Sequence, residues 1–160
     1  MEGIYLGAYK AYHPGYNIVY QDINGKRDIG GDMMDIDLSP YDFIIATPPC
    51  NFYSKACNKN RHSHYAINTA HLLPDILFKL ENLGKPFIVE NVRNYPMFSS
   101  MGLIPRSKTY VYFIGRHTYW SSIPFNTFVY QEIDDQYVCL PIKYTYVFDL
   151  GINPIDENIG

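Results

Sequence analysis

Two short runs of apolar residues, Phe43-Ile44-Ile45-Ala46 and Phe87-Ile88-Val89, are the clearest structural signals in the chain. Both are β-prone and uncharged, a pattern typical of strands that are buried on both faces of a parallel sheet. A polar cluster follows each run: Pro48-Pro49-Cys50 after the first and Glu90-Asn91-Val92 after the second. Because ligands of open α/β sheets bind at the carboxyl ends of the strands, we expect both clusters at one binding edge.

The remaining pattern alternates strands with helices. Apolar residues at helical spacing predict a helix over 67–83 that Gly84 ends, while Pro74 weakens this prediction and could mark the true first turn of the helix. We also predict a short helix over 5–13 and strands over 17–22, 42–46, 86–90 and 109–114. Strand, helix and strand at this spacing form a βαβ unit. The sequence therefore predicts an α/β fold with a mainly parallel, Rossmann-like sheet and flanking helices.

Length and composition fit one globular unit: 160 residues with 47% hydrophobic content can bury a real core. We expect an α/β core over 1–120 and an extension over 121–160, with short strands possible at 127–129, 137–140 and 144–148 and a polar tail at its end. No run approaches the roughly 18 apolar residues of a membrane span, and the amino terminus does not resemble a signal peptide. We expect a cytoplasmic protein that does not contact membranes.

The three cysteines, Cys50, Cys57 and Cys139, are odd in number and form no CxxC pair. This argues against a disulfide framework and against a zinc site. We expect Cys57 and Cys139 to be packing residues. His62 and His64 have no third ligand nearby in the sequence, so we expect surface histidines and no metal.

The charge pattern is ambiguous about nucleic acids. The net charge is −3, whereas phosphate contacts usually leave a basic footprint. Positive residues nevertheless cluster after Cys50, at Lys55, Lys59, Arg61, His62 and His64. This basic loop could meet a phosphate backbone, and an ordinary solvated loop is an equal alternative.

A thiol and a carboxylate at the same sheet edge favour covalent attack by the sulfur atom, with the acid supplying a proton or a hydrogen bond to the group that is attacked. Structural alternatives stay open for each residue. Cys50 could be an inert buried cysteine, and Glu90 could belong to a buried polar network. Asp22 and Asp32 could be ordinary turn acids.

The residues around both clusters resemble a known family. Thr47-Pro48-Pro49-Cys50-Asn51-Phe52-Tyr53-Ser54 resembles the Pro-Pro-Cys-Gln-x-Phe-Ser signature of the DNA cytosine-5 methyltransferases, with Asn51 in place of Gln. Phe87-Ile88-Val89-Glu90-Asn91-Val92-Arg93-Asn94 resembles the family's Glu-Asn-Val signature, and the 40 residues from Cys50 to Glu90 suit its spacing. Asp22 and Gly31-Asp32 are similar to residues that contact the cofactor ribose and adenine, and Arg116-His117 resembles its arginine motif. The likeness is to compact, phage-type members.

The resemblance implies transfer of a methyl group from S-adenosylmethionine to C5 of a cytosine that is flipped out of DNA. Cys50 would add to C6, Glu90 would assist at N3, and Arg116, or alternatively Lys108, would contact the base or its phosphate. The further cofactor-binding candidates are Gly3, Gly7, Asp22, Asp32, Met33 and Pro48. The further substrate-binding candidates are Pro49, Asn51, Ser54, Asn91, Val92 and Lys108.

The chain also departs from the family. It begins almost at the cofactor loop, where only Gly3 and Gly7 are candidates, so we expect a sheet truncated at its first strand. A target-recognition domain is also missing, which predicts weak sequence specificity. Two alternatives follow: a catalytically inactive relative that serves as a DNA-binding or interaction module, and the same chemistry on RNA or with another one-carbon donor.

Overall fold

The computed structural model describes residues 1–11, 13, 15–54, 63–124, 128–133 and 136–141. Most of the predicted basic loop, Cys57 and the segment 142–160 lie outside these ranges, as does the strand proposed at 144–148. The strands are β1 (Glu2–Leu6), β2 (Asn17–Gln21), β3 (Phe43–Ala46), β4 (Phe87–Val92), β5 (Tyr110–Ile114), β6 (His117–Ser121), β7 (Phe128–Ile133) and β8 (Gln136–Pro141). The helices are α1 (His64–Thr69), α2 (Leu72–Glu81) and α3 (Tyr95–Ser100), with a 3-10 turn at Met33–Asp35.

Six strands form one sheet in the order β2-β1-β3-β4-β6-β5. The first four in this order are mutually parallel, and β6 pairs antiparallel with both β4 and β5. β7 and β8 form a separate antiparallel pair. The predicted class, an α/β fold with a mainly parallel sheet, is confirmed.

The amino-terminal prediction was wrong. Residues 2–6 form strand β1, not the start of a helix, and β1 pairs with β2 on one side and β3 on the other. The strand that the sequence analysis expected to be missing is thus a central one. The sequence pattern did not indicate this strand because it contains Gly3, and glycine is a poor strand former. The glycine is explained by packing, since a Cβ at Gly3 would lie 2.2 Å from the Phe43 ring.

The order of the strands creates a switch point. From β1 the chain passes to β2, which lies on one side of β1, and then to β3, which lies on the other side of β1. The connections after β1 and β3 therefore leave the sheet in opposite directions, and a crevice opens between the carboxyl ends of these two strands. The loops that begin at Gly7 and Thr47 border this crevice.

The long helix was predicted in its place, but it is interrupted, and the short helix α3 was not predicted. The predicted helix 67–83 is divided between α1 and α2, and Pro74 stands in the first turn of α2. The apolar side of α2 packs on one face of the sheet. The other face carries the smaller cluster Tyr5, Tyr20, Ile45, Ile88, Ile114 and Tyr119. Within the described ranges, no helix has the length and apolar character needed to span a membrane.

Candidate active site

A cleft of about 630 Å³ lies at the carboxyl edge of the parallel strands. Its size is typical of small-molecule sites, which run from about 300 to 1,000 Å³. Cys50, Glu90, Asp22 and Asp32 all line it. The structure thus brings the nucleophile and acid candidates together with both acids assigned to the cofactor, while their chemical roles stay predictions.

The loop after β3 presents the cysteine to this cleft. The carbonyl of Cys50 accepts hydrogen bonds from the amides of Tyr53 at 3.0 Å and Ser54 at 2.9 Å, which closes a tight turn. Cys50 itself is exposed. The alternative of an inert buried cysteine is therefore wrong. Ser54, a predicted substrate contact, is not among the residues that line the cleft.

Two buried amides on the β4 side hold this loop in place. Asn91 is 1% exposed, and its Nδ2 donates to the carbonyl of Pro48 at 3.2 Å. Asn94 Nδ2 donates to the carbonyl of Tyr53 at 2.8 Å. Removing a partner from a buried carbonyl costs about 1–3 kcal/mol, so both amides stabilise the loop. Asn91 was predicted to bind substrate; it lines the cleft, and its amide nitrogen holds the cysteine loop.

Glu90 pairs with a residue that the motif reading did not assign to the site. His117 Nδ1 lies 2.5 Å from Glu90 Oε1, and both side chains line the cleft. The histidine begins β6, which pairs with β4 so that His117 lies opposite Val92. Nothing in the local sequence predicts this contact. It depends on the antiparallel register of two strands that are far apart in the chain.

A buried tyrosine of β1 lies near the acid. Burial is the main reason that the pKa of Tyr5 is raised well above its ordinary value, and the nearby Glu90 carboxylate adds to the effect. A hydrogen bond with the Thr47 side chain acts in the opposite direction but does not reverse it. The phenol is consequently neutral at physiological pH. Its hydrogen bond connects β1 to Thr47, where the loop that carries Cys50 begins.

The opposite half of the cleft is formed by the ends of β1 and β2. Gly7 has φ +91°, and a Cβ there would lie 2.6 Å from the carbonyl oxygen of Thr47. Gln21 is buried and joins the two glycine loops: its Oε1 accepts from the Gly7 amide at 3.0 Å, and its Nε2 donates to the Gly31 carbonyl at 2.6 Å. Sequence reasoning missed Gln21, whose role appears only when the loops meet.

Both aspartates of this half accept hydrogen bonds from their own loops. Asp22 receives the amides of Asn24 and Lys26 at 3.1 and 2.7 Å. Asp32 accepts the Met34 amide at 2.8 Å and caps the 3-10 turn. These are the contacts of turn acids. Each carboxylate oxygen has a second lone pair, so both residues can still accept a ligand hydroxyl or amine.

The remaining candidates divide into two groups. Those that line the cleft are Gly7, Met33, Pro48, Pro49, Asn51, Asn91 and Val92. Gly3, Arg116 and Lys108 do not line it. Gly3 lies inside β1, and Arg116 is exposed in the turn between β5 and β6.

Lys108 lies near the opposite edge of the sheet, beside Pro105 and the end of α2. It precedes β5, which runs in the same direction as β4, so it stands at the end of the sheet where the parallel strands begin. The prediction that it contacts the target base does not fit this position.

The helical wall of the cleft was not predicted. Tyr65, Asn68 and Thr69 of α1 line it together with His71 and Leu72 at the start of α2. Tyr65 is more than half exposed, so an aromatic face is available to a ligand. One sequence signal could have indicated this wall. Tyr65 and Thr69 are four residues apart, which places both on one face of a helix.

Comparisons with known proteins add little to this picture. No protein-family model matches the chain, and no curated protein is similar to it in sequence. A solved structure of the methyltransferase EhMeth from Entamoeba histolytica is similar over 79% of this chain, with 13% identity and a TM-score of 0.42. The similar region spans about half of that protein, 54% of its length. A likeness this distant does not assign an activity, so the site has to be interpreted from its own geometry.

Proposed function

We propose that this protein transfers a methyl group from S-adenosylmethionine to C5 of cytosine in a nucleic acid. The observation that supports the proposal is the meeting of an exposed cysteine and a half-buried glutamate in one cleft at the switch point of the sheet. They come from two neighbouring parallel strands, β3 and β4. A sulfur nucleophile with an adjacent carboxyl group suits addition to an electrophilic ring carbon.

The chemistry balances with these two groups. Cys50, as the thiolate, attacks C6, the C5=C6 pair shifts to C4–C5, and the C4=N3 pair moves to N3, which takes a proton from Glu90. C5 has then become nucleophilic. S-adenosylmethionine, when bound, supplies the electrophilic methyl group that C5 accepts. Loss of the C5 proton to solvent, departure of the Cys50 thiolate and return of the N3 proton to Glu90 complete the turnover.

The half of the cleft at β1 and β2 fits a nucleoside-type methyl donor. The absence of a side chain at Gly7 leaves the space between the ends of β1 and β3 open. Asp22 stands at the end of β2, where an acid of a dinucleotide-binding sheet accepts from ribose hydroxyls. Asp32 stands on the next loop and offers a further acceptor. The donor would therefore lie between Gly7 and these two acids.

A target base must leave a duplex before its C6 can reach Cys50. Tyr65 and Asn68, on the wall opposite the strand ends, offer a stacking face and a hydrogen-bonding amide for such a base. Both DNA and RNA satisfy this chemistry. We favour DNA because of the motif resemblance, and the experiment below includes both.

The test is transfer of tritium from labelled S-adenosylmethionine to cytosine-containing oligonucleotides, as duplex DNA, single-stranded DNA and RNA. A parallel reaction uses 5-fluorocytosine at the target position, because fluorine cannot leave as a proton does and the Cys50 adduct then persists. We expect transfer and a denaturation-stable adduct with wild-type protein. Cys50→Ala should lose both, by at least about 10³-fold, since no other group replaces the nucleophile.

Cys50 is exposed, so the alanine variant should keep the thermal stability of the wild type, which serves as the folding control. Absence of transfer and of adduct on all three substrates with the wild type would refute the proposal.

The alternative of an inactive binding module has lost its main structural support, because β1 is present in the sheet. The net charge of −3 still favours it. Calorimetry with S-adenosylmethionine separates the two hypotheses. Binding to wild type that weakens in Asp22→Asn supports the enzyme, and no measurable heat over a millimolar range supports the module.

A further inference from the structure

We propose that His117 is the positioning residue for Glu90: that its Nδ1–H holds one carboxyl oxygen and stabilises the carboxylate left when the base has taken the proton. This inference rests on the proposed function. The cross-strand contact His117 Nδ1 to Glu90 Oε1 at 2.5 Å carries it.

Strand pairing fixes the relative backbone positions of His117 and Glu90. β6 pairs with β4 through five successive residues, from Ile88–Ser121 to Val92–His117. The side chain of Thr118 adds a hydrogen bond to the carbonyl of Val92 at 3.1 Å. His117 is 22% and Glu90 15% exposed at their side chains, so water competes only partly for the bond. A side chain held in this way cannot turn from the cleft without losing its partner.

The geometry assigns different roles to the two carboxyl oxygens of Glu90. Oε1 is occupied by His117, and Oε2 remains for the N3 position of a bound cytosine. Under the proposed function Glu90 carries the proton that N3 takes, so the imidazole at first donates to an uncharged carboxyl oxygen. After proton transfer to N3 the same bond becomes charge-assisted and about twice as strong. The histidine therefore stabilises the adduct more than the ground state, which is the condition for catalysis.

Tyr5 and Arg93 have hydrogen-bond partners of their own. Tyr5, near Glu90, is hydrogen-bonded to Thr47. Arg93 Nη1 donates to the carbonyl of Gly115 at 3.1 Å, and the guanidinium lies 5.3 Å from the centre of the Phe113 ring. The ring of Tyr119 stands 6.3 Å from the His117 ring. Glu90 thus takes its hydrogen bond from an imidazole although an arginine lies three residues along the chain.

The test compares His117→Leu with His117→Asn. Asparagine places an amide nitrogen on Cγ, where histidine has Nδ1, and so keeps the donor while removing the ring. We expect His117→Leu to slow formation of the 5-fluorocytosine adduct about 10- to 100-fold, the usual effect of one hydrogen bond to a charged group. His117→Asn should stay within about 3-fold of the wild type, because an amide donor conserves most of that bond. Equilibrium binding of the oligonucleotide and of S-adenosylmethionine should change in neither variant.

A double-mutant cycle adds the decisive control. In a Glu90→Gln background, His117→Leu should slow adduct formation little further, because the carboxyl group that His117 positions is already absent. Full additivity would overturn the inference, as would an adduct rate in His117→Leu equal to the wild type. A loss that appears in oligonucleotide binding, with the adduct rate at saturation unchanged, would overturn it in favour of a binding role.

A second measurement does not depend on whether the leucine variant folds. Nitrogen-15 spectra of histidine-labelled wild-type protein should show His117 Nδ1 protonated, and an unprotonated Nδ1 would refute the inference. The failure of the proposed function looks different, since the wild type itself would then form no adduct. That result would refute both.

Discussion

Two glutamates of similar burial have partners of different chemistry. Glu90 is 15% exposed at the carboxyl edge of the sheet, and its partner His117 is 22% exposed. Glu81 is 12% exposed at the end of α2, near the opposite edge, and its partner Arg106 is 23% exposed. Burial therefore does not distinguish them. The difference lies in the chemistry of the partner and in what else borders the carboxyl group.

Glu81 is held as a permanent ion. Burial alone would raise its pKa, but hydrogen bonds from Arg106 and Thr109, together with the Arg106 charge, outweigh this and hold the pKa below its ordinary range. Arginine does not give up its proton in proteins, so this pair has one charge state at neutral pH. Glu90 instead faces an imidazole, which can hold or release a proton near neutral pH, and a cleft shared with Cys50. The comparison distinguishes a structural ion pair at one edge from the pair at the other edge to which we assign the proton transfer.

The largest expected effect separates the two glutamates by activity. Glu90→Gln should lower methyl transfer about 100-fold or more, because it removes a general acid. Its amide oxygen can still accept from His117, so the fold should be kept. Glu81→Gln, assayed at a temperature where it is folded, should lie within about 3-fold of the wild type, since single-site effects far from the reacting groups are usually small. Single-turnover transfer of tritium measures both, and equal losses would remove the distinction.

Stability should show the reverse order. Glu81→Gln leaves the Arg106 guanidinium without its counter-charge and should lower the free energy of unfolding by about 1–3 kcal/mol. Glu90→Gln should lower it by less than about 1 kcal/mol, because the hydrogen bond to His117 persists. Urea unfolding at pH 7, followed by circular dichroism, gives both values. A more destabilised Glu90 variant would make Glu90 the structural member of the two.

The pH dependence of stability sharpens the same contrast. The pKa of Glu81 is lowered in the folded protein from 4.5, so its contribution is fully present above about pH 4.5 and is lost as the pH falls through the folded-state value. The unfolding free energies of wild type and Glu81→Gln should therefore differ most at neutral pH and converge in acid. Urea unfolding at a series of pH values checks this. A difference that is constant down to about pH 3 would show that the ion pair is not its source.

The smallest effect concerns Lys108, which lies beside Glu81 and Arg106 and not beside Glu90. Lys108→Gln should change methyl transfer and adduct formation by less than about 2-fold, as expected of an exposed residue outside the site. The same oligonucleotide assays measure it. A loss comparable to that of Glu90→Gln would restore the prediction, made from the motif, that Lys108 contacts the target base.

Local signals were sufficient for some elements of this fold and failed for others. β3 and β4 were predictable because both are buried on two faces, which produces continuous apolar runs. α2 was predictable from its helical spacing and from Gly84, at φ +81°, after its end. β1 was not, because a five-residue strand that contains Gly3 has little propensity of its own and is stabilised by neighbours on both sides.

The same division holds within the candidate site. The sequence by itself determined that Cys50 lies just beyond one buried strand and Glu90 near the carboxyl end of another, and hence that they share a sheet edge, because parallel strands align their carboxyl ends. Only the tertiary structure decided that His117 meets Glu90, that Asn91 holds the cysteine loop, and that Lys108 stands at the far edge. Strand position is encoded in local periodicity, whereas pairing between distant strands depends on register and strand order. Neither of these is readable from residues that are neighbours in the chain.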